Sequence, residues 1–197
     1  MSKKKNQNAA KGLIIGIILI CLVLGYYYYL SNRGAKNRQE DDVKLTVVQE
    51  ILMRNLDTYY PPTPREVVKY YGEIAQCLHN ETYTEKEFQD LALKIQLLYD
   101  DELIENKTRE QYLADLKNDI EQFKAQKVVI SSFSLSSSTD VEEFSQDGYS
   151  WAELYCTFSL RQGTQLSSSK EVFLLRKDGI GHWKIYGWKI AEEEGEN

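Results

Sequence analysis

The spacing of apolar residues divides the chain into an uncharged segment, a helical half and a strand half. Residues 13–30, LIIGIILICLVLGYYYYL, contain no charged side chain. At about 1.5 Å per residue, a helix of this segment would be roughly 27 Å long, which matches the hydrocarbon core of a bilayer. The pattern therefore predicts one N-terminal transmembrane helix.

From Asp41 to about residue 125, apolar residues recur at steps of three and four, the period of an amphipathic helix. Pro61-Pro62 ends the first helix. Thr63, Thr84 and Thr108 each precede a Glu or Gln by three residues, which is the start signal of a capped helix. The region is therefore expected to contain four helices.

After Lys127 the apolar period changes from 3.6 to 2, which is typical of strands that are buried on one face. A bulge at Gly187 would place Trp188 on the same face as Trp183 and Ile185. Ser137 to Gly148 is interpreted as a polar connection between strands. The predicted strands are Val128 to Ser136, Tyr149 to Gln162, Lys170 to Lys177 and His182 to Ile190.

The charges around the uncharged segment predict its orientation. Lys3, Lys4, Lys5 and Lys11 precede it, and positive residues favour the cytoplasmic side. Its exit, Tyr26, Tyr27, Tyr28 and Tyr29, supplies amphipathic rings that suit a membrane interface. We therefore expect a single-pass cell membrane protein with a cytoplasmic N-terminus and its C-terminal domain outside.

A cleaved signal peptide is the alternative, but signal peptidase needs small residues before the cleavage point and the tyrosine tract offers no suitable pair. An uncleaved signal anchor is favoured. The expected order is a cytoplasmic tail (1–12), a transmembrane helix (13–30), a linker (31–40), one extracytoplasmic domain (41–191) and an acidic tail (192–197).

The helices lead into a meander that ends in GHWKIYGWKI, with Gly179, Trp183, Ile185 and Trp188 as its markers. This order resembles the NTF2-like, cystatin-like cone family. The resemblance implies an α+β domain of three to four helices packed on a four-stranded antiparallel sheet. The whole plan is similar to uncharacterised single-pass membrane proteins of Gram-positive bacteria, and in layout to assembly components of type IV secretion systems.

The charge balance narrows the range of partners. All 30 Asp and Glu residues lie from Glu40 onward, with only 17 of the Lys and Arg residues, so this part carries a net charge of −13. That charge excludes a nucleic-acid groove, which needs clustered positive charge. Cys77 and Cys156 either form a disulfide or are two separately buried thiols, and they do not fit a zinc site.

Catalysis is not expected. The resemblance implies that catalytic members would use an acid–base pair inside the cone, whereas the inward face of the Tyr149–Gln162 strand is apolar or thiol. His79 is interpreted as a helix cap. His182 is interpreted as an exposed hairpin end, in preference to a proton-transfer dyad with Asp178. No catalytic, cofactor-binding or metal-binding residue is predicted, and no cofactor.

The favoured function is a membrane-anchored, non-catalytic module for protein–protein interaction or envelope-complex assembly. Its expected partners are the bilayer and an unknown protein, for which a second copy of the chain is one candidate, with no nucleic acid. Trp151, Tyr155 and Tyr186 are the predicted interface residues, because they would project among polar residues from the face opposite the helices. Binding or sensing of a small apolar ligand in the cone pocket is the alternative, and a pocket enzyme is the third.

Overall fold

The helical half and the strand half lie in the predicted order. The computed structural model describes residues 45–191, which form five α-helices followed by five β-strands. The helices are α1 (Val47–Met53), α2 (Pro64–Asn80), α3 (Glu85–Gln96), α4 (Asp101–Glu105) and α5 (Arg109–Ala125). The strands are β1 (Val128–Leu135), β2 (Glu142–Gln146), β3 (Tyr149–Gln162), β4 (Gln165–Lys177) and β5 (Trp183–Ile190), with a short 3-10 turn (Ser138–Asp140) before β2.

The predicted threonine caps are confirmed. Thr63, Thr84 and Thr108 stand directly before α2, α3 and α5, and each side chain accepts a hydrogen bond from a backbone N–H in the first turn. Thr84 and Thr108 form complete capping boxes, in which the glutamate or glutamine side chain bonds back to the cap backbone. Caps of this kind satisfy amide groups that no helix can pair internally, so they set where the helices begin.

The predicted counts of helices and strands are wrong, although the described domain is α+β. The four-stranded sheet has a fifth strand, β2, and the three to four helices have become five in the described residues. Every residue of β2 is exposed, so it lacks the apolar alternation that reveals strands. α4 has only five residues, too few to show a helical period.

The sheet is an antiparallel meander whose first strand is interrupted. β1 pairs with the second half of β3, from Cys156 to Gln162, and β2 pairs with the first half, from Tyr149 to Glu153. Both therefore lie along the same edge of β3. β4 and β5 follow in sequence on the other side, so the order across the sheet is β1 and β2, β3, β4, β5.

The helices cover one face of this sheet, and the core lies between them. Trp183 of β5 lies in this core, with 4% of its surface exposed. β5 contains the predicted bulge, with Tyr186 as the extra residue between Ile185 and Gly187. The bulge returns Trp188 to the helix side, where its ring lies 6.0 Å from that of Phe173.

The segment that follows α3 is hydrogen-bonded to the free edge of β5. The Ile185 N–H donates to the carbonyl of Leu98 at 2.8 Å, and the Asp100 N–H donates to the carbonyl of Ile185 at 2.9 Å. The Asp100 carboxylate then accepts two hydrogen bonds from the Arg176 guanidinium on β4, at 2.9 and 2.6 Å. Asp100 also caps α4 by accepting from the Glu102 N–H. These contacts of Leu98 and Asp100 with Ile185 and Arg176, called the joint below, connect the helical half to two neighbouring strands.

Residues 45–191 contain no helix that is both long enough and apolar enough to cross a bilayer. The predicted transmembrane helix at 13–30 lies outside the described residues. So do the predicted cytoplasmic tail (1–12), the tyrosines at 26–29, the whole linker (31–40) and the acidic tail (192–197).

The joint at Asp100 predicts a large stability effect. Replacing Asp100, whose side chain is 5% exposed, by alanine leaves Arg176 without its buried partner and removes a helix cap. We expect Asp100→Ala to lower the free energy of unfolding by about 3–5 kcal/mol, measured by urea denaturation of the full chain. The matched control is Asp101→Ala, one residue further on and exposed, which should cost less than about 1 kcal/mol. If both variants lost the same free energy of unfolding, Asp100 would not have the stabilising role described here.

Candidate functional site

A cavity of about 500 Å³ lies between the helices and the inner face of the sheet. Its volume falls within the range of about 300–1,000 Å³ that is typical of small-molecule sites. Most of the lining side chains are aromatic or aliphatic: Tyr71, Leu78, Ile95, Tyr99, Leu103, Ile104, Tyr112, Leu116, Phe123, Ile130, Phe158, Leu160 and Trp188. The cavity is therefore the strongest candidate for a functional site in the described domain.

Aromatic rings form one wall of this cavity. Trp188 lies 5.7 Å from both Tyr71 and Tyr99, measured between ring centroids, and stacks on Phe173. Phe173 is fully buried beneath the other rings, whereas Trp188 exposes 40% of its surface. Tyr112 of α5 meets Tyr99 edge to face at 6.2 Å. The bulge in β5 makes this wall possible, because without it Trp188 would point to the other face of the sheet.

α5 forms another wall of the cavity, and few of its side chains are buried for a helix of its length. Of its 17 residues only Ile120 is buried. Tyr112, Leu116 and Phe123 follow the helical period, but each is only partly buried and lines the cavity. The apolar side of α5 therefore faces a space instead of a filled core.

The cavity also holds a carboxyl group, Glu171 of β4. Glu171 points to the helix side because it alternates in register with Phe173 and Leu175 on the same strand. Desolvation by the surrounding apolar walls raises its pKa to about 7. No ion pair within residues 45–191 involves Glu171. The other charged groups of the wall, in contrast, are paired.

Those pairs involve α5 and its preceding turn. Lys107 donates to the Asp115 carboxylate at 2.6 Å. His79 contacts Asp119 through Nε2 at 3.3 Å, and its Nδ1 bonds the carbonyl of Ala75 at 2.8 Å. The second contact goes to a carbonyl four residues earlier within α2, not to one of the unpaired carbonyls at its end, so the predicted capping role of His79 stays a prediction. The structure places His79 in the cavity wall.

Sequence reasoning missed Glu171. The prediction rested on the inward face of the Tyr149–Gln162 strand, and Glu171 lies on the neighbouring strand, β4. The alternation of Phe173 and Leu175 was the signal that could have placed Glu171 inside. The prediction concerned an inward acid–base pair, and Glu171 is a single carboxyl, so the absence of catalysis stays a prediction.

His182 lies away from the cavity. Its ring stacks on that of Tyr60 at 4.1 Å, nearly parallel, and its backbone N–H, not its ring, donates to the Asp178 carboxylate. Asp178 thus closes the turn before β5. The arrangement agrees with the interpretation of this segment as a hairpin end.

The two cysteines of the domain are free, buried thiols, so the second of the two sequence alternatives is confirmed. Burial raises the pKa of Cys77 to about 11 and that of Cys156 to about 12, so both stay protonated at neutral pH. Among residues 45–191, no three His, Cys, Asp or Glu side chains are arranged to hold a metal ion.

Two of the three predicted interface residues lie together on the outer face. The rings of Trp151 and Tyr186 meet edge to face at 5.0 Å, and the Arg176 guanidinium lies over both. Trp151 also donates to the carbonyl of Gln146 in β2. Tyr155 contacts a different cation, Lys170, whose ammonium lies 4.3 Å from the ring centroid.

The exposed part of this aromatic cluster comes from other residues. Phe144 of β2 stacks on Trp151 and exposes 40% of its surface, and Tyr149 exposes 49%. The partner-binding role of this face stays a prediction. Phe144 and Tyr149 are the sharper positions at which to test it, because Trp151 and Tyr186 also make internal hydrogen bonds.

The fold and the cavity together define an α+β domain in which α5 covers an aromatic pocket. The sequence from residue 1 to residue 188 matches the family model described as "Domain of unknown function (DUF6715)", and the chain belongs to this family. The match includes both the uncharged segment and almost all of the described domain. A search of curated proteins found no significant match. The resemblance to the NTF2-like family stays a prediction.

The buried carboxyl predicts a pH-dependent stability effect. Below about pH 4.5 Glu171 is protonated in both the folded and the unfolded chain. Between 4.5 and about 7 only the unfolded chain has lost the proton, so the folded protein loses stability as the pH rises and levels off above about 7. Glu171→Gln cannot titrate. Its stability relative to wild type should therefore rise from pH 5 to pH 8, by about 1–2 kcal/mol after allowing for partial solvent access.

Urea denaturation at pH 5 and pH 8 measures this difference. Glu143→Gln, an exposed position on β2, is the matched control and should show the same small change at both pH values. A Glu171→Gln effect that does not vary with pH would show that the carboxyl is not desolvated.

Proposed function

We propose that the domain binds a small, largely apolar molecule in the cavity between α5 and the sheet. The observation that carries this proposal is the combination of a 500 Å³ aromatic-lined space with a 17-residue helix that buries only one side chain. Protein interiors are normally close-packed, and side chains beside an empty space lose dispersion contacts. A ligand in the cavity would restore those contacts to Tyr112, Leu116 and Phe123.

The shape of the site supports binding through apolar contact. Its aromatic wall is rigid because Trp188, Tyr71 and Tyr99 pack against one another and on the buried Phe173. Tyr99 is further positioned by the backbone hydrogen bonds to Ile185 from the residues on either side of it, Leu98 and Asp100. A pre-formed wall costs little ordering entropy when a ligand binds.

The ionisable groups of the pocket do not define a reaction. His79 and Asp119 contact each other in the wall, while the carboxyl with a displaced pKa is Glu171. A non-catalytic role therefore stays a prediction, and binding is the simpler use of this geometry. Attachment to the cell membrane, with the domain outside, also stays a prediction that rests on the sequence of residues 1–40.

Binding can be tested on the full chain in lipid nanodiscs by fluorine NMR. The chain has three tryptophans, so labelling with 5-fluorotryptophan gives three signals, each assigned by a Trp→Phe variant. Titration with the neutral apolar probe tert-butylbenzene should shift the Trp188 signal and leave that of Trp151, on the outer face, unchanged. Because the readout comes from the protein, probe dissolved in the lipid does not produce a signal.

A matched pair of variants places the probe in the cavity. Ala75→Leu adds bulk to the wall and should weaken probe binding at least 10-fold, since Ala75 lines the cavity. Ala114→Leu adds the same atoms to an exposed position of α5 and should leave binding unchanged. Absence of any Trp188 shift at probe saturation of the aqueous phase, or equal effects of the two variants, would contradict the proposal.

A further inference from the structure

We infer that the ligand of this cavity is an organic cation, an ammonium group carried on an apolar body, held between the Glu171 carboxylate and the aromatic wall. The inference rests on the proposed function, since it names the chemical class of molecule that the same cavity binds. Two independent features of the cavity lining support it: the aromatic rings, and the balance between positive and negative side chains.

Ring faces are the first feature. Tyr71, Tyr99, Tyr112 and Trp188 line the cavity with π systems, and the faces of such rings attract positive charge. Recognition of ammonium groups by several aromatic rings is a known use of this attraction. The domain uses the same chemistry on its outer face, where Arg176 lies over Trp151 and Tyr186.

Charge balance is the second feature. Lys107 neutralises Asp115, and the Asp119 carboxylate has the His79 ring as a hydrogen-bonding neighbour. Glu171 is left with no ion pair among residues 45–191. A carboxylate in an apolar setting is unfavourable until a positive charge comes close. A cationic ligand supplies that charge, a neutral one does not, and an anion would be repelled.

The cavity should therefore prefer cations only while Glu171 is ionised. The tyrosines and Cys156 beside it have pKa values raised by burial, so they stay neutral near pH 7. His79 is the histidine of the wall, and a separate variant isolates its contribution. The other charged side chains that line the cavity are Lys107, Asp115 and Asp119.

The test compares phenyltrimethylammonium with tert-butylbenzene, which has nearly the same shape and no charge, by the same Trp188 signal of the full chain. At pH 8 the cation should bind at least 10-fold more tightly than the neutral probe. From pH 8 to pH 5.5 affinity for the cation should fall by roughly 10- to 30-fold, as a pKa of about 7 requires. Affinity for the neutral probe should change less than about 3-fold over the same range.

Glu171→Gln should abolish both the preference for the cation and its pH dependence, while binding of the neutral probe persists. His79→Gln should retain both. The wild-type pH series tests the inference even if a variant does not fold. Equal or weaker binding of the cation at pH 8, or a preference that survives Glu171→Gln, would overturn the inference and leave the proposed function standing. Failure of both probes to shift Trp188 would overturn the proposed function itself.

Discussion

The joint between the end of α3 and the edge of β5 holds the two halves of this domain in register. Backbone hydrogen bonds join Leu98 and Asp100 to Ile185, and the Asp100 carboxylate reaches Arg176 on the next strand. A buried aspartate is unfavourable unless it is paired, so Asp100 must lie next to Arg176. This pairing holds Asp100 against β4 as well as against β5. Tyr99, which lies between the two joined residues, is thereby placed in the aromatic wall. The pocket depends on this joint although Asp100 is not part of it.

The pocket itself results from a difference in packing between two helices, α2 and α5. α2 packs directly on the sheet and buries eight residues, whereas α5 is equally long and buries one. The bulge at Tyr186 adds to this difference by turning Trp188 toward the helices. The result is a largely apolar space in which the Glu171 carboxyl has no ion pair among residues 45–191. This carboxyl is tolerated because it can stay protonated up to about neutral pH.

Local signals predicted much of this fold. The threonine caps, three of the helices, the β3 boundaries and the bulge in β5 all follow from patterns within a few residues. β2 was missed because its side chains are all exposed, although the Asp147-Gly148 turn, with φ angles of 52° and 81°, is a strong hairpin signal. The Tyr99–Ile185 pairing joins residues far apart in the sequence, and no local pattern encodes it. Glu171 was missed because its strand begins with polar residues on both faces.

The weak attachment of α5 has a kinetic consequence. Moving this helix away from the sheet exposes little buried surface, and its ion pairs Lys117–Glu85 and His79–Asp119 are partly or wholly exposed to solvent. Local opening therefore costs a small part of the global free energy of unfolding. Under the proposed function, this opening gives a ligand a route in and out of the cavity while the core of α2 and the sheet stays intact.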